Sequence, residues 1–194
     1  MNYKNIRTDV SPEAPYGQEQ DSCAIYMSAR KHGQSTFGTL KRSLGALGQM
    51  GHRTGFVNGE GDGAGVQTDL PRRLWAKKLS QAGMRASLAA DLGFWVGHLF
   101  VPNGVDFSTL RDGISACFNE AGLNVLLDLQ GRTRPEALGR NARMKAPSFW
   151  QLAGFCEARD VEKRLFAAQK RIEASFHVHF ASLSSFAAVY KIQG

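Results

Sequence analysis

Cysteine is scarce in this chain of 194 residues, and long apolar runs are missing altogether. The three cysteines, Cys23, Cys117 and Cys156, are an odd number at wide spacings. That excludes a disulfide framework and a zinc site built from close ligand pairs. No segment approaches the run of about 18 apolar residues that a membrane span needs. The opening MNYKNIRTDVSPEAPYGQEQDS also lacks the apolar core of a secretory signal. A soluble protein of the reducing cytoplasm is the expectation, with no membrane partner. Repeats and low-complexity tracts are absent too, and the length suits one domain that buries a core without staples.

Acidic residues are in deficit, with 17 Asp and Glu against 24 Lys and Arg and a net charge of +7. The deficit is uneven: residues 1–22 carry Lys4 and Arg7 against Asp9, Glu13, Glu19 and Asp21, a balance of −2 that leaves +9 for the remainder. A basic body can attract nucleic acid, an acidic protein or an anionic substrate. Basic and acidic side chains are interleaved almost everywhere, which argues against nucleic acid. The exception is Arg132, Arg134, Arg140, Arg143 and Lys145, opposed only by Glu136. That segment reads as a dock for another domain or an acidic partner, or as a solvated loop.

Residues 1–22 show no periodicity and read as an extended leader. Cys23 to Ala29 is short and apolar, as a buried strand would be. Phe37, Leu40, Leu44, Leu47 and Met50 form one helical stripe from near Ser35 to Gly51. A second helix runs from Pro71 to Gly83, and Gly93 to Val101 reads as a strand covered on both faces. Phe107, Leu110, Ile114 and Phe118 mark a third helix, followed by alternation at Leu123, Val125, Leu127 and Leu129. After a loop at 130–147 come a strand at Ser148–Cys156 and a helix at Asp160–Ser175. His177–Leu183 and Phe186–Ile192 read as a hairpin around Ser184-Ser185. Paired strands with helices grouped between them predict an α+β fold, a four-layer αββα sandwich.

Cys23 admits two readings. Composition alone favours a buried core cysteine, as it does for Cys117 and Cys156. If the bond after Ser22 is cut, however, Cys23 gains a free α-amino group, with a reference pKa of about 7.7–8.0, that can take the thiol proton. Arg53 follows the first helix, where its planar fork could hold a carboxylate, and His52 could cap the helix end. The run Gly59-Glu60-Gly61-Asp62-Gly63-Ala64-Gly65 lacks the Lys-Ser/Thr ending of a P-loop, and Val66-Gln67-Thr68-Asp69-Leu70 after it reads as a strand. A tight turn lining a site fits it better than nucleotide binding does. His177 and His179 would share one face of a strand, but with no third ligand nearby no metal is expected.

In this order, these residues resemble the amino-terminal glutamine amidotransferase domain of the glutamate synthase large subunit. That domain is a class II amidotransferase of the N-terminal-nucleophile hydrolase group. Asp21 precedes Cys23 as an acidic residue does in the family. Met50-Gly51-His52-Arg53 and Gly61-Asp62-Gly63-Ala64-Gly65 are similar to its Met-x-His-Arg-Gly and Thr-Gly-Asp-Gly-Ala-Gly. Gly97-His98-Leu99-Phe100-Val101-Pro102 resembles its Gly-x-x-Phe-Leu-Pro strand, and Leu138-Gly139-Arg140-Asn141-Ala142 its Leu-Gly-x-x-Ala. Glu162 to Phe166 and Lys170 to Glu173 resemble its Glu-Arg-x-Leu-Tyr and Arg-Lys-x-x-Glu helix. Ser182-Leu183-Ser184-Ser185 and Val189-Tyr190-Lys191 resemble the strands that follow. Ala24 and Thr54 depart from the pattern, each standing where the family has glycine.

The resemblance implies leader removal and glutamine hydrolysis. Cys23 would be the nucleophile, Arg53 would order the site, and His52, Gly61, Asp62 and Gly63 would form the substrate-site loop. It also implies a synthase subunit or a separately encoded remainder as partner. The family's oxyanion donors lie in a His-Asn-Gly-Glu motif beyond the Val-Tyr-Lys strand, which this chain lacks; the fold is therefore expected to be incomplete at the C-terminus. Losing one such donor costs about 100- to 1,000-fold in rate, so the chain alone is expected to be a poor glutaminase. The family's flavin and iron–sulfur cluster belong to its synthase regions, and no cofactor is expected here. The alternative is a non-catalytic, amidotransferase-like binding or regulatory module.

Overall fold

The computed structural model describes residues 24–34, 36–53, 55–57, 60–61, 63–183 and 186–190. The protein is a mixed α/β fold with antiparallel sheets. Helix α1 spans Phe37–Gln49 and tightens into a 3₁₀ turn at Met50–Arg53. Two short strands, β1 (Phe56–Val57) and β2 (Glu60–Gly61), pair with each other. Strand β3 (Ala64–Thr68) precedes α2 (Arg72–Gln81), β4 (Phe94–Val101), α3 (Phe107–Glu120) and β5 (Asn124–Gln130). Then follow α4 (Arg140–Met144), β6 (Ser148–Phe155), α5 (Val161–Phe176), β7 (His179–Leu183) and β8 (Phe186–Tyr190).

The principal sheet is antiparallel, in the order β5-β6-β4-β7. Its centre, β4, is buried along nearly its whole length, which is why Phe94 to Val101 is apolar at both parities. On one face lie α3 and α5, placing Ile114, Phe118, Leu165 and Ile172 against Trp95, Leu99, Trp150 and Leu152. Trp95 and Phe118 stack with ring centroids 4.6 Å apart. Each of these aliphatic and phenyl side chains stabilises the fold by about 1.5–3 kcal/mol through burial. On the other face, Trp75 and Leu79 of α2 and Ala89 of a 3₁₀ turn cover Phe94, Val96 and Ala153. Arg72 fastens that turn, its Nη1 donating to the carbonyls of Ala89 at 2.7 Å and Asp91 at 2.9 Å.

The helix ends follow elementary capping. Asp106 Oδ1 accepts the Ser108 backbone N–H at 2.9 Å at the start of α3. Gly83 and Gly122, at φ +76 and +74, take the left-handed conformation that lets the chain leave α2 and α3. Helix α1 differs from the others: its stripe of Leu40, Leu44, Leu47 and Met50 is half-buried, and Phe37 is exposed.

Four expectations need correction. First, Ala24 to Arg30 form no strand; Ile25 and Met27 are each 85% exposed, because no described strand offers a ladder partner there. Second, β5 does not keep Leu123, Val125, Leu127 and Leu129 on one face. The register against β6 shifts between Val125 and Leu127, so Leu123 and Val125 join the α3 side while Leu127 and Leu129 join the α2 side. One inserted residue reverses the parity of everything after it.

Third, β7 and β8 are not a hairpin: β7 pairs with β4 and β8 with β3, so the chain changes sheets between them. Fourth, the 130–147 segment is not all loop, since it contains a 3₁₀ turn at Pro135–Ala137 and the five residues of α4.

Candidate active site

Of the expected site residues, His52, Arg53, Gly61 and Gly63 are described, and all four lie in the stretch of chain between α1 and β3. At the end of α1, His52 Nδ1 lies 3.2 Å from the Gln49 carbonyl, the helix-end contact expected of it. Arg53 ends the 3₁₀ turn and is exposed to solvent. Three residues on, the chain enters the β1–β2 pair, with Phe56 opposite Gly61 and Val57 opposite Glu60. Gly63 is exposed, and β3 then leads away along β8, Ala64 facing Tyr190. The structure thus places His52 and Arg53 in the turn that ends α1, Gly61 on β2 and Gly63 just before β3. Cys23, Asp62 and the leader, residues 1–22, lie outside the described residues.

A second segment folds against this one. Glu60 Oε1 accepts the backbone N–H of Asn141 at 2.9 Å, and Oε2 that of Ala142 at 3.1 Å. These are amides of the first turn of α4. Arg143 holds the approach to that turn, donating to the carbonyls of Pro135, Glu136 and Leu138 at 3.1, 3.2 and 3.0 Å. Arg132, Arg134, Arg140 and Lys145 stay exposed around it. On the face bearing α3 and α5, by contrast, three arginines are paired: Arg171 with Glu120 at 2.6 Å, Arg164 with Asp160 at 2.7 Å and Arg111 with Asp128.

The histidine pair at 177 and 179 does not share a face. His177 is left-handed at φ 53 and terminates α5, whereas His179 is exposed on β7 with Nδ1 3.5 Å from Glu173 Oε1. A helix that must end in a sharp reversal places its last residue there, outside the strand pattern. Among the described residues no group of three or more His, Cys, Asp or Glu is placed to hold a metal ion. Cys117 and Cys156 are buried and unpaired, filling core positions as expected.

Two residues of consequence escaped the sequence reading. Glu60 sat unremarked inside the run Gly59 to Gly65, and nothing local in the sequence marks its partner, which lies 81 residues away. His98 is fully buried, with Nδ1 2.9 Å from Ser182 Oγ and its ring stacked on Phe149 at 5.6 Å. Its signal was a polar residue within an apolar strand.

Comparison with known proteins gives the family of the chain. A family model described as glutamine amidotransferases class-II matches residues 23–193. The chain belongs to that family. Similar proteins include ferredoxin-dependent glutamate synthase 1 of Arabidopsis thaliana, 30% identical over 203 residues that cover 96% of this chain and 12% of the relative. Ferredoxin-dependent glutamate synthase 2 of the same plant is 27% identical, covering 95% of this chain and 12% of the relative. A Synechocystis ferredoxin-dependent glutamate synthase 2 is 30% identical, covering 90% and 12%. The chain therefore spans about an eighth of the length of the curated relatives it matches. Among the described residues no helix is long and apolar enough to cross a membrane.

Proposed function

We propose that this chain carries the glutaminase half-reaction of a glutamate synthase-type amidotransferase. The observation that carries the reading is the family match, whose first residue is Cys23. In the proposed mechanism the leader 1–22 is removed and the freed α-amino group takes the proton of the Cys23 thiol. The thiolate attacks the side-chain amide carbon of glutamine, and the tetrahedral intermediate collapses to a γ-glutamyl thioester. The amino group returns its proton to the departing ammonia, and water then cleaves the thioester to give glutamate. Arg53 offers a planar fork to the substrate carboxylate, and His52, Gly61, Asp62 and Gly63 line the site.

The described four-stranded sheet would be one of the two central layers of a four-layer αββα sandwich, with α3 and α5 as its outer layer. The setting is the cytoplasm. The proposed partner is a synthase subunit, to which the released ammonia would pass. A glutamine-mimicking electrophile tests the reading. It should label Cys23 in the native protein, with loss of residues 1–22 in the intact mass, and leave buried Cys117 and Cys156 untouched. Native protein that keeps its leader and stays unlabelled at Cys23 would sink the mechanism.

One observation favours a second reading, a non-catalytic binding module: Arg132, Arg134, Arg140 and Lys145 are exposed around a segment that Arg143 holds in shape. Equal labelling of all three cysteines only after denaturation would support it.

A further inference from the structure

The glycine-rich segment and the Leu138 to Ala142 segment meet at one side chain, Glu60, across 81 residues of sequence. Neither segment is stable alone. Helix α4 has five residues, far short of the about 12–15 at which an isolated helix becomes even marginal. Strands β1 and β2 have two residues each, and an isolated hairpin is marginal at best. The Glu60 carboxylate binds them by accepting two backbone N–H groups that have no acceptor within the helix. Its negative charge also lies at the favourable end of the aligned peptide dipoles.

Gly139 makes the contact possible. It occupies the N-cap position of α4 without a capping side chain of its own, and a Cβ there would overlap the Glu60 carboxylate. Arg143 shapes the other side of the cradle through three carbonyls. Glu60 stands where the resembled Thr-Gly-Asp-Gly-Ala-Gly motif has threonine.

We propose that Glu60 is the positioning residue of the glycine-rich segment, clamping the β1–β2 pair to the first turn of α4 and so fixing Gly61 and Gly63. Its link to catalysis rests on the reading of those glycines as lining the glutamine site. Hydrogen–deuterium exchange of the full chain tests the clamp without requiring activity. Glu60→Ala should speed exchange of residues 138–144 and 56–61 together by about tenfold or more, since a charge-assisted pair of bonds is lost. Peptides of α3, β4 and α5 should be unchanged. Glu60→Gln retains one acceptor and should fall between, and Gly139→Ala should resemble Glu60→Ala. Unchanged exchange at both segments in Glu60→Ala overturns the proposal.

Electrophile labelling of Cys23 supplies the functional arm. In Glu60→Ala the half-saturating concentration should rise about tenfold or more, while the limiting rate stays within about threefold. Lost protection with unchanged saturation would make Glu60 a helix cap only and overturn the positioning role. If wild-type Cys23 is not labelled at all, the glutaminase reading fails, and the exchange result alone decides the clamp.

Discussion

His98 and Ser182 face each other across β4 and β7 in the buried interior, Nδ1 and Oγ 2.9 Å apart. The β4–β7 ladder changes register immediately after this pair, between His98 and Leu99. A buried hydrogen bond at a register shift fixes how the strands meet where apolar packing alone would tolerate slippage. Ser182→Ala should lower unfolding free energy by about 1–3 kcal/mol, because a buried imidazole nitrogen loses this partner. Ser182→Thr, which keeps the hydroxyl, should lose less. Urea denaturation decides it, and an Ala variant indistinguishable from wild type would show the pair to be incidental.

Glu173 ties α5 to β7. Its Oε1 accepts the Phe180 backbone N–H at 3.1 Å across the His177 reversal, and Lys170 and Gln169 bind the same carboxylate. Burial pushes the Glu173 carboxyl up, but the Phe180 N–H, the Gln169 amide and Lys170 together outweigh it and hold the group below the usual glutamate value. A depressed folded-state value contributes stability that is present above the unfolded value and lost as the pH falls through the folded one. Wild type should therefore lose stability as the pH drops below about 4.5. Glu173→Gln, which still accepts from Phe180, should lose correspondingly less. Identical pH profiles of the urea midpoint would refute the coupling.

His177 pays a conformational cost at the end of α5, being the one described non-glycine residue with positive φ. Glycine has no Cβ to clash in that conformation, which costs a side-chain-bearing residue on the order of 1 kcal/mol. His177→Gly should raise the midpoint of thermal unfolding by roughly 2–4 °C for a chain of this size. A fall instead would mean that the imidazole contributes more than the backbone conformation costs.

The elements that the sequence disclosed are those whose cause is local. Leu110, Ile114 and Phe118 mark α3 because one helical face needs no partner to be recognised, and Gly83 and Gly122 mark ends because the left-handed conformation favours glycine. What stayed hidden depends on distant partners. Two β-rich runs around residues 184–185 look like a hairpin until β4 claims one and β3 the other. Leu123 to Leu129 alternate in sequence, but the shift against β6 decides which face each takes. The site divides the same way: His52 capping follows from helix α1 itself, whereas the grip of Glu60 on Asn141 and Ala142 spans 81 and 82 residues and has no local sign.

Arg53 offers the sharpest test of the proposed substrate site. It is exposed at the end of the Met50–Arg53 turn, and the adjacent His52 is bonded to the Gln49 carbonyl, so the turn delivering Arg53 is anchored to α1. A guanidinium grips a carboxylate through two parallel N–H bonds, whereas an ammonium is a point charge without that geometry. With a glutamine-mimicking electrophile, Arg53→Lys should raise the half-saturating concentration for Cys23 labelling by about tenfold, equivalent to ~1.4 kcal/mol. The limiting rate should hold, because the interaction exists equally in the ground and transition states. Arg53→Ala should be weaker again. A Lys variant that saturates like wild type would remove Arg53 from the substrate site. A collapse of the limiting rate with unchanged saturation would assign it to the chemical step.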